Sequence, residues 1–262
     1  MSNIEMRNSM SVRDIEDYTK KYLAAPFLKE NVYYRRKCVL EQMRKYPHES
    51  ILEVGCGMFP LFQYIAEGYK NYYIVEPSEA FAENAKKIME TEGISQSEVE
   101  IYTAFFEDTV AKFENINFDF VVCSSLLHEI PNEKIFLQSL SNVAKENTVI
   151  HINVPNALSI HRLIAEAAGM IDNVYEKSLT QKQLQQRTIY NLDNLQKVVE
   201  ENGFEVIDKG SYFIKPFTHK QMAQMLEYDI INDKVLDGLW NLIKYFPDNG
   251  SEIYVNIRKK IS

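Results

Sequence analysis

A chain of 262 residues, 45% hydrophobic and 25% charged, can bury a sizeable core and fits one domain with insertions better than two full domains. A net charge of −8 disfavours the phosphate-backbone footprint of a nucleic-acid binder, and no apolar run approaches the ~20 residues of a membrane span. Cys38, Cys56 and Cys123 are scattered with no CxxC pair, and the polar start has no apolar signal stretch; both point to a cytoplasmic protein without a disulfide frame or zinc site.

Residues 1–46 read as helical, with Ile15, Tyr18 and Tyr22, then Val39, Leu40 and Met43, at helical intervals and Pro26 dividing the segment in two. From position 50 the pattern changes. Apolar strands at 50–54, 72–76, 99–103, 119–124 and 148–154 alternate with amphipathic helices at 79–92 and 133–145. That alternation implies right-handed βαβ units and a mainly parallel sheet. A polar helical segment follows at 159–187, then a helix at 193–202 ended by Gly203, and strands at 205–214 and 251–258 flanking a helical stretch at 219–245. The expected fold is α/β: a doubly wound, mainly parallel seven-stranded sheet over 47–262, with helical cap insertions at about 157–191 and 219–248.

Glu53-Val54-Gly55-Cys56-Gly57-Met58-Phe59-Pro60 carries a strand into a glycine turn and on into a helix, with both glycines permitting close backbone approach to a ligand. Glu76 ends the second strand 21 residues after Gly55, where a carboxylate can accept hydrogen bonds from both hydroxyls of a ribose. Its structural alternative is a favourable acid at a helix start before Pro77. Pro60 stands where a dinucleotide fingerprint needs a third glycine, which argues against NAD or FAD. Glu53 would repel a pyrophosphate but suits a cofactor bearing an ammonium and a sulfonium.

On these residues the segment 35–213 resembles the class I S-adenosylmethionine (SAM) dependent methyltransferases. Glu53, Gly55 and Gly57 match the first fixed positions of that family's acidic-Gly-x-Gly-x-Gly pattern, Phe59 replaces the third glycine, and Glu76 matches the ribose-binding acid. Residues 118–129 look like the family's fourth strand and exit loop, which implies that Ser124 lines the methionine part of SAM. The acid often found after the third strand is replaced by Phe105, leaving Phe106 and Glu107 as candidates for adenine contact. The resemblance also implies S-adenosylhomocysteine (SAH) as product and a final antiparallel strand at 251–258.

Methyl transfer needs a held nucleophile and, for a hydroxyl, a proton acceptor. His128 after the fourth strand and His161 after the fifth are the candidate bases, each with a structural rival as a helix-start histidine; His151 reads as a core histidine. Ser159 caps the helix carrying His161 and Arg162, and an arginine in a first helical turn suggests an anionic partner. Tyr34, Arg35, Asn156, Arg162, Tyr190 and Lys215 are the candidate substrate contacts, and no residue pair suggests a metal. The stretches 153–162 and 213–217 are similar to a bacterial subset of these enzymes tied to surface polysaccharides or secondary metabolites. The reading is O-methylation of a small anionic intermediate such as a sugar, nucleotide-linked sugar or phosphorylated capsule precursor, by a monomer or homodimer that binds no nucleic acid and has no membrane span. N-methylation of a small metabolite, a nucleotide-dependent oxidoreductase and a non-catalytic subunit acting through its cap remain the alternatives.

Overall fold

Apolar runs of four to nine residues assemble one sheet in the computed structural model, which describes residues 13–65, 68–95 and 97–260; the first twelve residues of the expected N-terminal helices lie outside these. The strands are β1 Ser50–Val54, β2 Asn71–Val75, β3 Val99–Tyr102, β4 Phe120–Ser124, β5 Val149–Pro155, β6 Phe204–Tyr212 and β7 Glu252–Lys259. Their order is β3-β2-β1-β4-β5-β7-β6. β1 to β5 run parallel, whereas β7 pairs antiparallel with both β5 and β6. β4 is buried along its whole length, the mark of a central strand covered on both faces.

The helices are α1 Ile15–Leu23, α2 Leu28–Met43, α3 Glu79–Glu92, α4 Glu133–Val143, α5 Ile160–Ala167, α6 Leu179–Gln183, α7 Leu192–Glu201, α8 His219–Glu227 and α9 Asp233–Asn241. Several starts follow capping chemistry: Asp14, Ser78 and Asn132 accept from the third helical N–H, and Ser178, Asn191 and Thr218 form reciprocal capping boxes. The polar segment 159–187 is not continuous helix; α5 and α6 are separated by irregular backbone.

A second element departs from expectation. Among the described residues no regular helix follows the glycine turn; a single 3₁₀ turn, Leu61–Tyr64, stands there after Pro60 in extended backbone (ψ 143°). α2 covers the face such a helix would have covered, burying Val39 and Met43 against Ile51, Tyr72, Ile74 and Phe120. The opposite face of the sheet packs on α4 and α7 through Phe136, Leu140, Leu195 and Val199. A third, smaller core built from Phe27, Tyr34, Phe213, Met222 and Leu236 joins α2 to the cap helices α8 and α9.

Candidate functional site

The carboxyl ends of β1, β2, β4, β5 and β6 open into one cavity of about 790 Å³, roofed by α1, α5, α6 and the start of α8. That lies within the ~300–1,000 Å³ typical of small-molecule sites, at the place where open α/β sheets bind ligands.

At one end stands the glycine turn. Gly55 (φ 77°) and Gly57 (φ 59°) are both left-handed, and a side chain on Gly55 would meet Leu126 Cδ2 at 3.4 Å. Glu76 is 5% exposed, accepting the Gly57 N–H at 3.0 Å through Oε2 and the Ser78 N–H at 2.8 Å through Oε1. Burial raises its pKa, opposed by those two N–H groups and by Arg13. Ser124 Oγ and Arg36 Nη1 are buried without partners. From α1 come Tyr18 and Tyr22, the latter meeting Phe81 edge-on at 5.6 Å. Bare backbone, a carboxylate at the end of β2 and two unpaired polar groups fit a cofactor joining an adenosine to an amino acid.

Three expected cofactor contacts lie elsewhere. Glu53 is fully buried away from the cavity, accepting from the Leu61 N–H at 2.9 Å and the Tyr72 hydroxyl at 2.8 Å and pairing with Arg36 at 3.0 Å. It caps the 3₁₀ turn in place of a helix. Arg36, though on the wall, donates to the Cys56 carbonyl at 3.0 Å and the Phe59 carbonyl at 3.1 Å, stapling the glycine turn to α2. Phe106 turns into the core to meet Phe136 edge-on at 5.6 Å, and Glu107 follows it in a 3₁₀ turn; neither lines the cavity.

The other end is built by the cap. Arg35 forks onto Glu252 with Nε–O distances of 3.0 and 3.1 Å, and Glu252 also accepts from the Tyr212 hydroxyl at 2.5 Å and Asn153 Nδ2 at 2.9 Å. Although burial opposes it, this donor set holds the Glu252 carboxyl down at about 2. Arg162 donates to the Val174 carbonyl at 2.8 Å, the Glu176 carbonyl at 2.5 Å and Gln181 Oε1 at 3.3 Å, pinning the loop between α5 and α6. Asn156 spends its amide on the Asp248 and Gly250 carbonyls, both at 2.9 Å, and on the Leu158 N–H. These side chains shape the wall with most of their donors already used.

Lys215, His161 and His219 also line this end. Lys215 is 5% exposed, no hydrogen bond to its Nζ is found among the described residues, and burial pushes its pKa down to about 7. His161 has a buried Nδ1 without a partner; burial, then Lys215, His219 and Arg162, depress its pKa to about 2. His219 has Nε2 2.7 Å from Asn31 Nδ2, and burial holds it at about 3.

The structure does not bring His128, Tyr34 or Tyr190 to the cavity. His128 is 2% exposed beneath the wall; its carbonyl accepts the Arg187 and Thr188 N–H groups, and burial lowers its pKa to about 3. Tyr34 stacks on Phe213 at 4.3 Å and donates to Asp237 at 3.1 Å inside the cap core. Tyr190 is buried beside β5, its carbonyl accepting the Ala157 N–H at 2.7 Å. His151 is the core histidine expected, with Nδ1 2.7 Å from Asn256 Oδ1.

Sequence reading missed an ion pair at the cofactor end, Arg13 with Glu129, where Arg13 also lies 3.8 Å above the Tyr18 ring. The one signal was the i, i+4 spacing of Tyr18 and Tyr22 on α1. Glu252 gave none, because its place depends on antiparallel register opposite Pro155. Among the described residues no cluster of three His, Cys, Asp or Glu could hold a metal, and no helix is long and apolar enough to cross a membrane.

Residues 21–209 match the family described as "Methyltransferase domain". N-methyltransferase 4 of Papaver somniferum is 28% identical over 109 residues, so the match spans 40% of this chain and 30% of that curated relative. Among solved structures, the [4+2]-cyclase SpnF aligns with a TM-score of 0.57 at 14% identity, over 87% of this chain and 80% of its own. An S-adenosylmethionine-dependent methyltransferase from Clostridium acetobutylicum aligns at 0.51 and 11% identity, over 95% and 93%. At such identities the structural likeness speaks for the fold alone.

Proposed function

The chain belongs to the methyltransferase-domain family, and on that premise we propose that it transfers a methyl group from SAM to an oxygen of a small, anionic acceptor. One observation carries this reading: a single cavity joins the glycine turn and Glu76 to the buried Lys215 and to His161, whose Nδ1 has no partner. SAM, when bound, supplies an electrophilic methyl group. Glu76 holds the ribose hydroxyls, Gly55 and Gly57 let the chain approach, and Ser124 and Arg36 offer polar groups to the amino-acid end.

At the cap end, His161 takes the acceptor's hydroxyl proton on its imidazole, and Lys215 pairs with its negative charge. Engagement of the Arg35 and Arg162 donors elsewhere supports an anion lighter than the phosphorylated sugars suggested by sequence. An amine acceptor is the second reading, favoured by the partial match to a protein named an N-methyltransferase. The buried free cysteines Cys38, Cys56 and Cys123 are consistent with work in the reducing cytoplasm.

Transfer of tritiated methyl from SAM to matched panels of hydroxy acids and amines tests the reading. Label in an ether or ester product supports it. Label confined to amines replaces it with the second reading, and SAM binding without any transfer points to a non-catalytic role.

A further inference from the structure

Lys215 is a cation inside the molecule without a counter-ion. Glu252, the carboxylate whose charge it feels, already receives Arg35, Tyr212 and Asn153, and no ion pair within 4.0 Å joins it to Lys215. Burying an ammonium without a partner is costly, and an anion seated in the cavity would offset that cost. The type of anion follows from the donors left free at this end. Phosphate dianions are held by several convergent N–H groups, commonly arginine forks. Here Nε and Nη2 of Arg35 are held by Glu252, and Nε, Nη1 and Nη2 of Arg162 by Val174, Gln181 and Glu176. Of the cations on this wall, Lys215 is the one buried without a bonded partner among the described residues, whereas Lys220 is exposed and Arg35 is already paired with Glu252; one buried ammonium calls for a single negative charge.

We propose that the cap end of the cavity is a carboxylate subsite, in which the ammonium of Lys215 receives a carboxylate carried by the methyl acceptor beside the His161 ring. The subsite rests on the methyltransferase reading and names its substrate class: a small hydroxy acid. Pairing has a second consequence. After burial itself, Lys215 is the largest influence keeping a proton off His161. A carboxylate on Lys215 offsets that repulsion and makes the His161 imidazole a better base than it is beside a neutral acceptor. Selectivity for acids then arises in both binding and turnover.

The test uses protein saturated with SAH, titrated by calorimetry with benzoate, its neutral isostere benzamide, and inorganic phosphate. Benzoate is expected to bind about tenfold or more tighter than either, as one charge-assisted contact allows. In Lys215→Met the preference for benzoate should vanish while SAH affinity stays within about twofold. Equal or absent binding of benzoate and benzamide, tighter binding of phosphate, or a preference that survives in Lys215→Met overturns the proposal. The wild-type comparison decides by itself if the variant misfolds. Failure of the wild-type protein to bind SAH is a different result, which removes the methyltransferase reading beneath it.

Discussion

Arg36 of α2 and Glu53 of β1 form an ion pair 3.0 Å long beneath the glycine turn, their side chains only 6% and 1% exposed. Breaking a buried pair leaves one charge uncompensated, whereas replacing both partners by apolar groups is often near neutral. Arg36→Met is therefore expected to cost about 3–5 kcal/mol. The double variant Arg36→Met/Glu53→Leu should recover part of that loss in stability but none of the loss in SAM affinity, because the turn is no longer stapled. Urea unfolding with and without SAM separates the two effects.

The two candidate bases should part company under substitution. His161→Gln is expected to lower kcat by about 100-fold, the usual contribution of a general base, with SAM affinity unchanged. His128 lies under the wall, so His128→Gln should lower the melting temperature and leave kcat of the folded fraction nearly intact. Steady-state kinetics beside thermal melts distinguish them.

Acid should unfold the protein early. Burial depresses His128 to about 3, His151 to about 4, His161 to about 2 and His219 to about 3. A folded-state pKa below the unfolded value of ~6.5 contributes stability that is present above that value and lost as pH falls toward the folded pKa. Glu252, held at about 2, adds a further loss below the ordinary carboxylate range. Stability should thus fall steeply between pH 6.5 and 3, with proton uptake on unfolding, measurable as the urea midpoint against pH.

Lys215 gives the opposite signature. Its pKa is pushed down to about 7, so between there and its ordinary value of 10.5 the unfolded chain binds the proton more tightly, and stability rises with pH. Below pH 7 the whole penalty applies. Lys215→Met should be more stable than the parent near neutral pH by about 3–5 kcal/mol, with the gap closing above pH 10. A group that weakens the fold where it stands is better explained by ligand binding than by structure.

How far the sequence was legible follows from which physics is local. Strand and helix periodicity, and the turn at Gly55 and Gly57, depend on neighbouring residues, and the sheet is the one they imply. The cations were misjudged for the same reason. Arg35 and Arg162 look like contacts to an anionic substrate only while their partners are unknown. Those partners stand far along the chain, as Glu252 does from Arg35, or in a loop without periodicity, as Val174 and Glu176 do from Arg162. Glu53 matched a cofactor motif, yet its carboxylate was claimed by Leu61 and Tyr72 once Pro60 shortened the following helix to one turn. Tyr34 and Tyr190 carry no pattern that separates a core ring from a cavity ring.

The most direct measurement is calorimetric titration with SAM and with SAH, comparing the wild-type protein with Glu76→Ala. Two lost charge-assisted hydrogen bonds should weaken binding by about 100-fold, while a melting curve confirms that the variant is folded. Tight binding of both ligands to the wild type, collapsing in Glu76→Ala, is the expected result. No binding to the wild type, or equal binding to a folded variant, would contradict the assignment of this cavity to SAM.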